Sequence, residues 1–157
     1  MRLYLLLLMF SISCQGQGYF KIPFVNSKNN VPIVMMKVND GSGIFIIDTG
    51  ATYSIINSNS ANKYGFKIKG FYRHIGGIGA EKVYLRNTEN LKIWIRGIPI
   101  NVRFRAMNLD KLQARADIVG ILGSDWILKN KVIIDYERKI LWIKIKTYKK
   151  ARSWQKR

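Results

Sequence analysis

An apolar run that ends on a carboxylate constrains this chain more than any other feature. Residues 45–52 read FIIDTGAT, so Phe45, Ile46 and Ile47 lead directly into Asp48, followed by Thr49, Gly50, Ala51 and Thr52. Asp is depleted in strands, and a carboxylate at the end of a buried run is costly unless donors or a ligand use it. A glycine two residues on lets the backbone turn sharply and lets a ligand approach closely. Hydroxyl and backbone donors around a carboxylate keep it ionised. Taken alone, the stretch has two readings: a capped turn in which Asp48 bonds nearby amides, or a site in which it acts on something bound.

The surrounding chain is built from short apolar segments with turn residues between them. Strands are expected over 20–25, 33–38, 44–47 and 53–56, with Asn39-Asp40-Gly41-Ser42-Gly43 as a hairpin signal because these residues accept positive φ. Residues 57–64 suit a short helix or turn that stops at Gly65. Further strands are expected over 83–85, 91–95 and 98–104, with a tight reversal at Arg96-Gly97. Residues 110–116 read as a helical turn, 117–122 as an apolar segment ending at Gly123, and 124–130 as a helix with Ser124 as its N-cap. Strands over 132–135 and 140–145 flank a last hairpin turn at residues 136–139. Many short strands at close spacing point to a small closed β architecture, not a parallel sheet.

The first residues stand apart from that pattern. Arg2, the apolar run Leu3–Phe10 and small residues before Cys14 have the grammar of a secretory signal, and the run is too short to span a bilayer. Residues 1–14 are therefore expected to be a signal, 19–146 a domain, and 147–157 a basic tail. Cys14 is the only cysteine, so it forms no internal disulfide. Ser11-Ile12-Ser13-Cys14 is similar to a bacterial lipoprotein processing site, with Ser11 where a leucine is commonest; lipidation of Cys14 and simple cleavage nearby both stay open. The location implied is the cell envelope of a bacterium, in the periplasm or on a membrane surface.

The formal charge is +18. Such a field attracts anionic membrane surfaces, nucleic acid or acidic peptides, and most of it is spread along strands where alternate positions face water. Only the stretch from Lys144 to Arg157 concentrates it, with no acid among its residues; on a lipid-anchored chain that tail would rest on anionic headgroups. Export and the lack of a nucleic-acid motif argue against a nucleic-acid partner. One histidine, His74, and one cysteine make no zinc site of usual form, and no serine or cysteine triad can be assembled.

Two further segments bear on Asp48. Ile75-Gly76-Gly77-Ile78-Gly79-Ala80 is a glycine-rich stretch in a hairpin context, whose backbone groups are open to a ligand. Ile118-Val119-Gly120-Ile121-Leu122-Gly123-Ser124-Asp125-Trp126 precedes the final strands. With Asp48-Thr49-Gly50-Ala51, in this order, residues 31–145 resemble the retropepsin-like aspartic proteases, and most closely their bacterial, envelope-targeted members.

The resemblance implies an all-β fold, a small closed barrel of the acid-protease type with one or two short helices. It implies a peptidase without metal or cofactor, in which two carboxylates share one proton because a close pair cannot both ionise, as is general for aspartic proteases. The chain has one Asp-Thr-Gly, so the second carboxylate is expected from Asp48 of a second protomer in a symmetric dimer. Thr49 would brace the two loops and Gly50 would offer its backbone. Ala51, Thr52, Gly76, Gly77, Ile78, Gly79, Val119 and Ile121 would bind a polypeptide added as an extended strand. Retroviral members have an acid at the position of Thr52 and an arginine at that of Ser124. Against the peptidase stands an inactive peptide-binding module at the envelope, and Asp48→Ala separates the two.

Overall fold

The computed structural model describes residues 18–27, 29–75, 83–110 and 118–144. The described residues form thirteen strands. β1 is Tyr19–Pro23, β2 Val25–Asn26, β3 Pro32–Val38, β4 Gly41–Ile47 and β5 Ile55–Asn57. β6 is Lys67–Ile75, β7 Val83–Glu89, β8 Ile93–Ile95, β9 Ile98–Pro99 and β10 Arg105–Met107. β11 is Ile118–Leu122, β12 Ile133–Asp135 and β13 Ile140–Lys144. Two short helices, α1 (Ala61–Tyr64) and α2 (Ser124–Lys129), complete the described elements together with a 3-10 turn at Ser58–Ser60.

Ten strands form one sheet in the order β6-β7-β10-β5-β11-β4-β3-β8-β9, with β2 on β3. The path is open: among the described residues no pairing joins β6 to β9, so the expected closed barrel is not seen. β11 lies between β4, to which it is parallel, and β5, to which it is antiparallel. This arrangement brings the end of β4, and hence Asp48, beside the end of β11. A separate three-stranded sheet runs β1-β13-β12.

Turn chemistry explains the hairpins. Val38 pairs with Gly41, so Asn39-Asp40 alone makes the β3–β4 turn, with Asn39 at φ 48°. Arg96 and Gly97 both have positive φ between β8 and β9, as a two-residue reversal requires. Gly65 closes α1 in the left-handed region at φ 65°.

Several elements differ from expectation. The strand expected over 20–25 is split at Phe24, because β1 pairs β13 while β2 pairs β3. Pro23, with no N–H, ends β1, and the Phe24 N–H donates to Lys139 O at 2.9 Å. Residues 98–104 form only the two-residue β9, since Pro99 cannot continue a ladder, and the chain resumes pairing at β10. The helical turn expected over 110–116 lies mostly outside the described residues. α2 is capped by Gly123, and Ser124 is its first helical residue, not its N-cap.

The main core forms between the sheets. It holds Phe45, Ile56, Ile95, Leu122, Trp126, Leu141 and Ile143, all fully buried. Phe45 and Phe104 meet edge to face at 5.8 Å. β4 shows the alternation that places the site: Phe45 and Ile47 point into this core, while Ile44, Ile46 and then Asp48 take the other face.

Candidate active site

Asp48 leaves β4 with its backbone tied to β11. Its N–H donates to Leu122 O at 3.0 Å, and its carbonyl accepts from the Ala51 N–H at 3.3 Å. The Gly50 N–H donates to Asp48 Oδ1 at 2.8 Å, so the turn itself fixes the carboxylate. Asp48 remains half-exposed, and among the described residues no cation pairs with it.

The start of α2 clamps this loop. The first N–H groups of a helix have no partner within it, and here they find the loop's carbonyls. The Ser124 N–H donates to Ala51 O at 2.7 Å and the Asp125 N–H to Thr52 O at 3.3 Å. The Ser124 hydroxyl donates to Thr49 O at 2.7 Å. Behind them, the fully buried Ser54 hydroxyl donates to Asp125 Oδ1 at 2.6 Å and accepts from the Gly123 N–H at 3.1 Å. Ser54→Ala would leave a buried N–H and a partly buried carboxylate oxygen without that partner. A loss of about 2 kcal/mol is expected, read as a lower urea midpoint with unchanged m-value.

Beside Asp48 lies an apolar floor. Ile46 pairs in register with Ile121, and Ile121 with Ile55. With Leu85 and Leu109 they form a small cluster distinct from the main core, against which Ala51 and Met107 pack half-buried. Ile46, Ile55, Leu85, Met107 and Leu109 carry no sequence signal beyond being apolar. The period-2 step back from Asp48 would have found Ile46.

The structure separates two residues that the sequence put together. Alternation would set Val119 and Ile121 on one side, but the β11–β4 register shifts between Ile118 and Gly120. This bulge turns Val119 into the main core against Gly43, where it lines a hollow with Met35, Ser42 and Ile44. Ile121 stays on the floor next to Ala51. Thr49 and Thr52 are exposed and meet α2 through their carbonyls. β6 and β7 pair from Lys67–Glu89 to Ile75–Val83 as a long hairpin; Gly76, Gly77, Ile78 and Gly79 lie outside the described residues.

A family profile described as aspartyl protease matches residues 34–126, which contain the Asp48 loop, the hairpin and the first residues of α2. The chain belongs to the aspartyl proteases. Its retropepsin-like fold is shared with solved structures. The retroviral protease-like domain of Ddi1 from Leishmania major is 18% identical, with a TM-score of 0.53 over 72% of this chain and 87% of that one. A retropepsin-like aspartic protease from Rickettsia conorii is 20% identical, with a TM-score of 0.53 over 80% of this chain and 90% of that one. A comparison with curated proteins found no match. The matched stretch contains the half-exposed Asp48 at the end of β4 and the Ile46–Ile121–Ile55 row, in which Ile55 and Ile121 are buried and Ile46 is partly exposed.

Proposed function

We propose that this protein is an exported aspartic endopeptidase that works as a homodimer, with Asp48 of each protomer facing its twin across a two-fold axis. The observation that carries this reading is the Asp48 carboxylate, held by the Gly50 N–H and open on its other side, in a chain with one Asp-Thr-Gly. One carboxylate cannot serve at once as base and acid, and a close pair that shares one proton does both.

In that arrangement the ionised carboxylate takes a proton from a water held between the pair. The water oxygen bonds to the scissile carbonyl carbon, and the protonated partner gives its proton to the carbonyl oxygen. The tetrahedral diol then collapses: the carboxyl that took the water proton gives it to the amide nitrogen, a hydroxyl proton passes to the other carboxylate, and the C–N bond breaks to release the amine. The substrate is an extended polypeptide lying along the Ile46–Ile121–Ile55 floor under the β6–β7 hairpin. Thr49, exposed at the loop, braces the two loops across the axis. The N-terminal segment exports the chain, and a lipid on Cys14 retains it at the envelope.

Subunit mixing tests the shared site. At a fixed total chain concentration, a mixture of one wild-type chain to nine Asp48→Asn chains should show about 1% of the activity of an all-wild-type sample if two carboxylates are needed, and about 10% if one chain suffices. The second result would end the dimer proposal.

A further inference from the structure

The chain enters and leaves its fold through one small sheet. β1 begins at Tyr19, β13 ends at Lys144, and these two residues are cross-strand partners. Antiparallel partners lie about 5 Å apart at Cα, so the preceding and following segments attach side by side. The preceding segment holds the apolar run Leu3–Phe10; the following one, 145–157, holds six basic residues and no acid. Residues 15–18 are all that separate Cys14 from β1. Fully extended they reach at most about 18 Å, so an anchor at or before Cys14 would hold this sheet close to whatever it is anchored in.

The outer face of the same sheet has an unusual composition. Phe20, Ile22, Leu141 and Ile143 pack into the core. By register, the opposite face presents Tyr19 beside Lys144, then Lys21 beside Trp142 and Ile133. Lys21 Nζ stands 4.8 Å from the Trp142 ring centroid, and Ile133 is 53% exposed. A water-facing sheet face would be polar at Trp142 and Ile133 as well. Its one acid among the described residues, Asp135, is occupied: the Arg138 N–H donates to Oδ1 at 2.9 Å and the guanidinium to Oδ2 at 3.1 Å. These contacts, the backbone one first, hold its carboxyl below the usual range.

We propose that the outer face of the β1-β13-β12 sheet is a docking surface for an anionic lipid bilayer, with Trp142, Tyr19 and Ile133 at headgroup level and Lys21 on lipid phosphates. Amphipathic rings and lysine stems suit that depth. Stable anchoring takes more than one signal, and this aromatic-basic face belongs to the sheet whose paired end residues, Tyr19 and Lys144, are where a lipid-bearing Cys14 and the basic residues after 144 join the fold in sequence. Among the described residues no helix is long and apolar enough to cross a membrane. The inference shares only the envelope setting with the proposed function, and its test reads no cleavage.

The full chain is sedimented with vesicles of phosphatidylcholine alone, and with vesicles in which phosphatidylglycerol replaces part of it. The test variant is K21E/I133D. The matched control is K37E/M35D, which makes the same kinds of change at exposed positions on β3; circular dichroism verifies both folds. Wild type should bind the anionic vesicles preferentially. K21E/I133D should bind them at least tenfold more weakly, taking roughly fivefold per basic charge lost near the surface, with a clearly smaller loss for the control. Equal losses in both variants would reduce the effect to net charge and overturn the proposal, as would wild-type binding by K21E/I133D or no preference for anionic lipid. Binding to duplex DNA as tight as to vesicles, and lost in the same variant, would make the face a general polyanion site and overturn the lipid assignment.

Discussion

Asp48→Asn should abolish peptide cleavage and leave the protein folded. Asparagine keeps an Oδ1 acceptor for the Gly50 N–H, which donates to Asp48 at 2.8 Å, and the position is half-exposed. Stability should therefore change by no more than about 0.5 kcal/mol. Asparagine can neither take a proton from water nor give one to a carbonyl, and in a dimer both members of the pair are lost together. A fall of at least about 10⁴-fold in kcat/KM is expected, measured on a peptide library by mass spectrometry, with thermal unfolding recorded beside it. Cleavage at wild-type rate by the variant would assign the chemistry elsewhere. Cleavage lost together with the fold would show Asp48 to be a structural cap.

Gly123→Ala should cost most in stability. Gly123 is the N-cap of α2 and sits where the Asp48 loop crosses it. A Cβ there would lie 2.7 Å from Ala51 O and 2.6 Å from Tyr53 O. Both obstacles are backbone, so neither rotates aside. Either the loop or the helix start must move, and movement stretches the Ser124–Ala51 and Ser54–Gly123 bonds at 2.7 and 3.1 Å. A loss of about 3 kcal/mol or more is expected, at the upper end for overpacking, seen as a urea midpoint lower by about 1–2 M. Any folded fraction should also cleave poorly, because the carbonyls that the helix start holds belong to the Asp48 loop. A variant as stable as wild type would mean that this clamp is looser than its distances indicate.

The Asp48 loop was legible because its signal is local. An apolar strand that ends on Asp-Thr-Gly must turn where it does, and the Gly50 N–H reaches the carboxylate within three residues. The hairpin turns were legible for the same reason: Asn39, Arg96 and Gly97 carry the positive φ that their turns require. What depended on pairing was not. β6 went unread because Lys67-Ile68-Lys69-Gly70 alternates for only a few residues before Gly70 turns to φ 80° and the register with β7 shifts. That Val119 joins the main core while Ile121 joins the small cluster depends on a bulge that adds one residue to β11 without marking the sequence. Ser124 has the chemistry of an N-cap, but its hydroxyl goes to Thr49, a partner far away in the chain. The floor of Ile46, Ile55 and Ile121 exists only once β4, β11 and β5 are side by side.

Active-site titration tests the shared carboxylate pair most directly. The titrant is a tight-binding peptide in which a secondary alcohol replaces the scissile amide, so that its hydroxyl takes the place of the attacking water. Two Asp48 residues sharing one site require one inhibitor for every two chains at the end point. An end point of one inhibitor per chain would contradict the account, because each chain would then hold a complete site of its own.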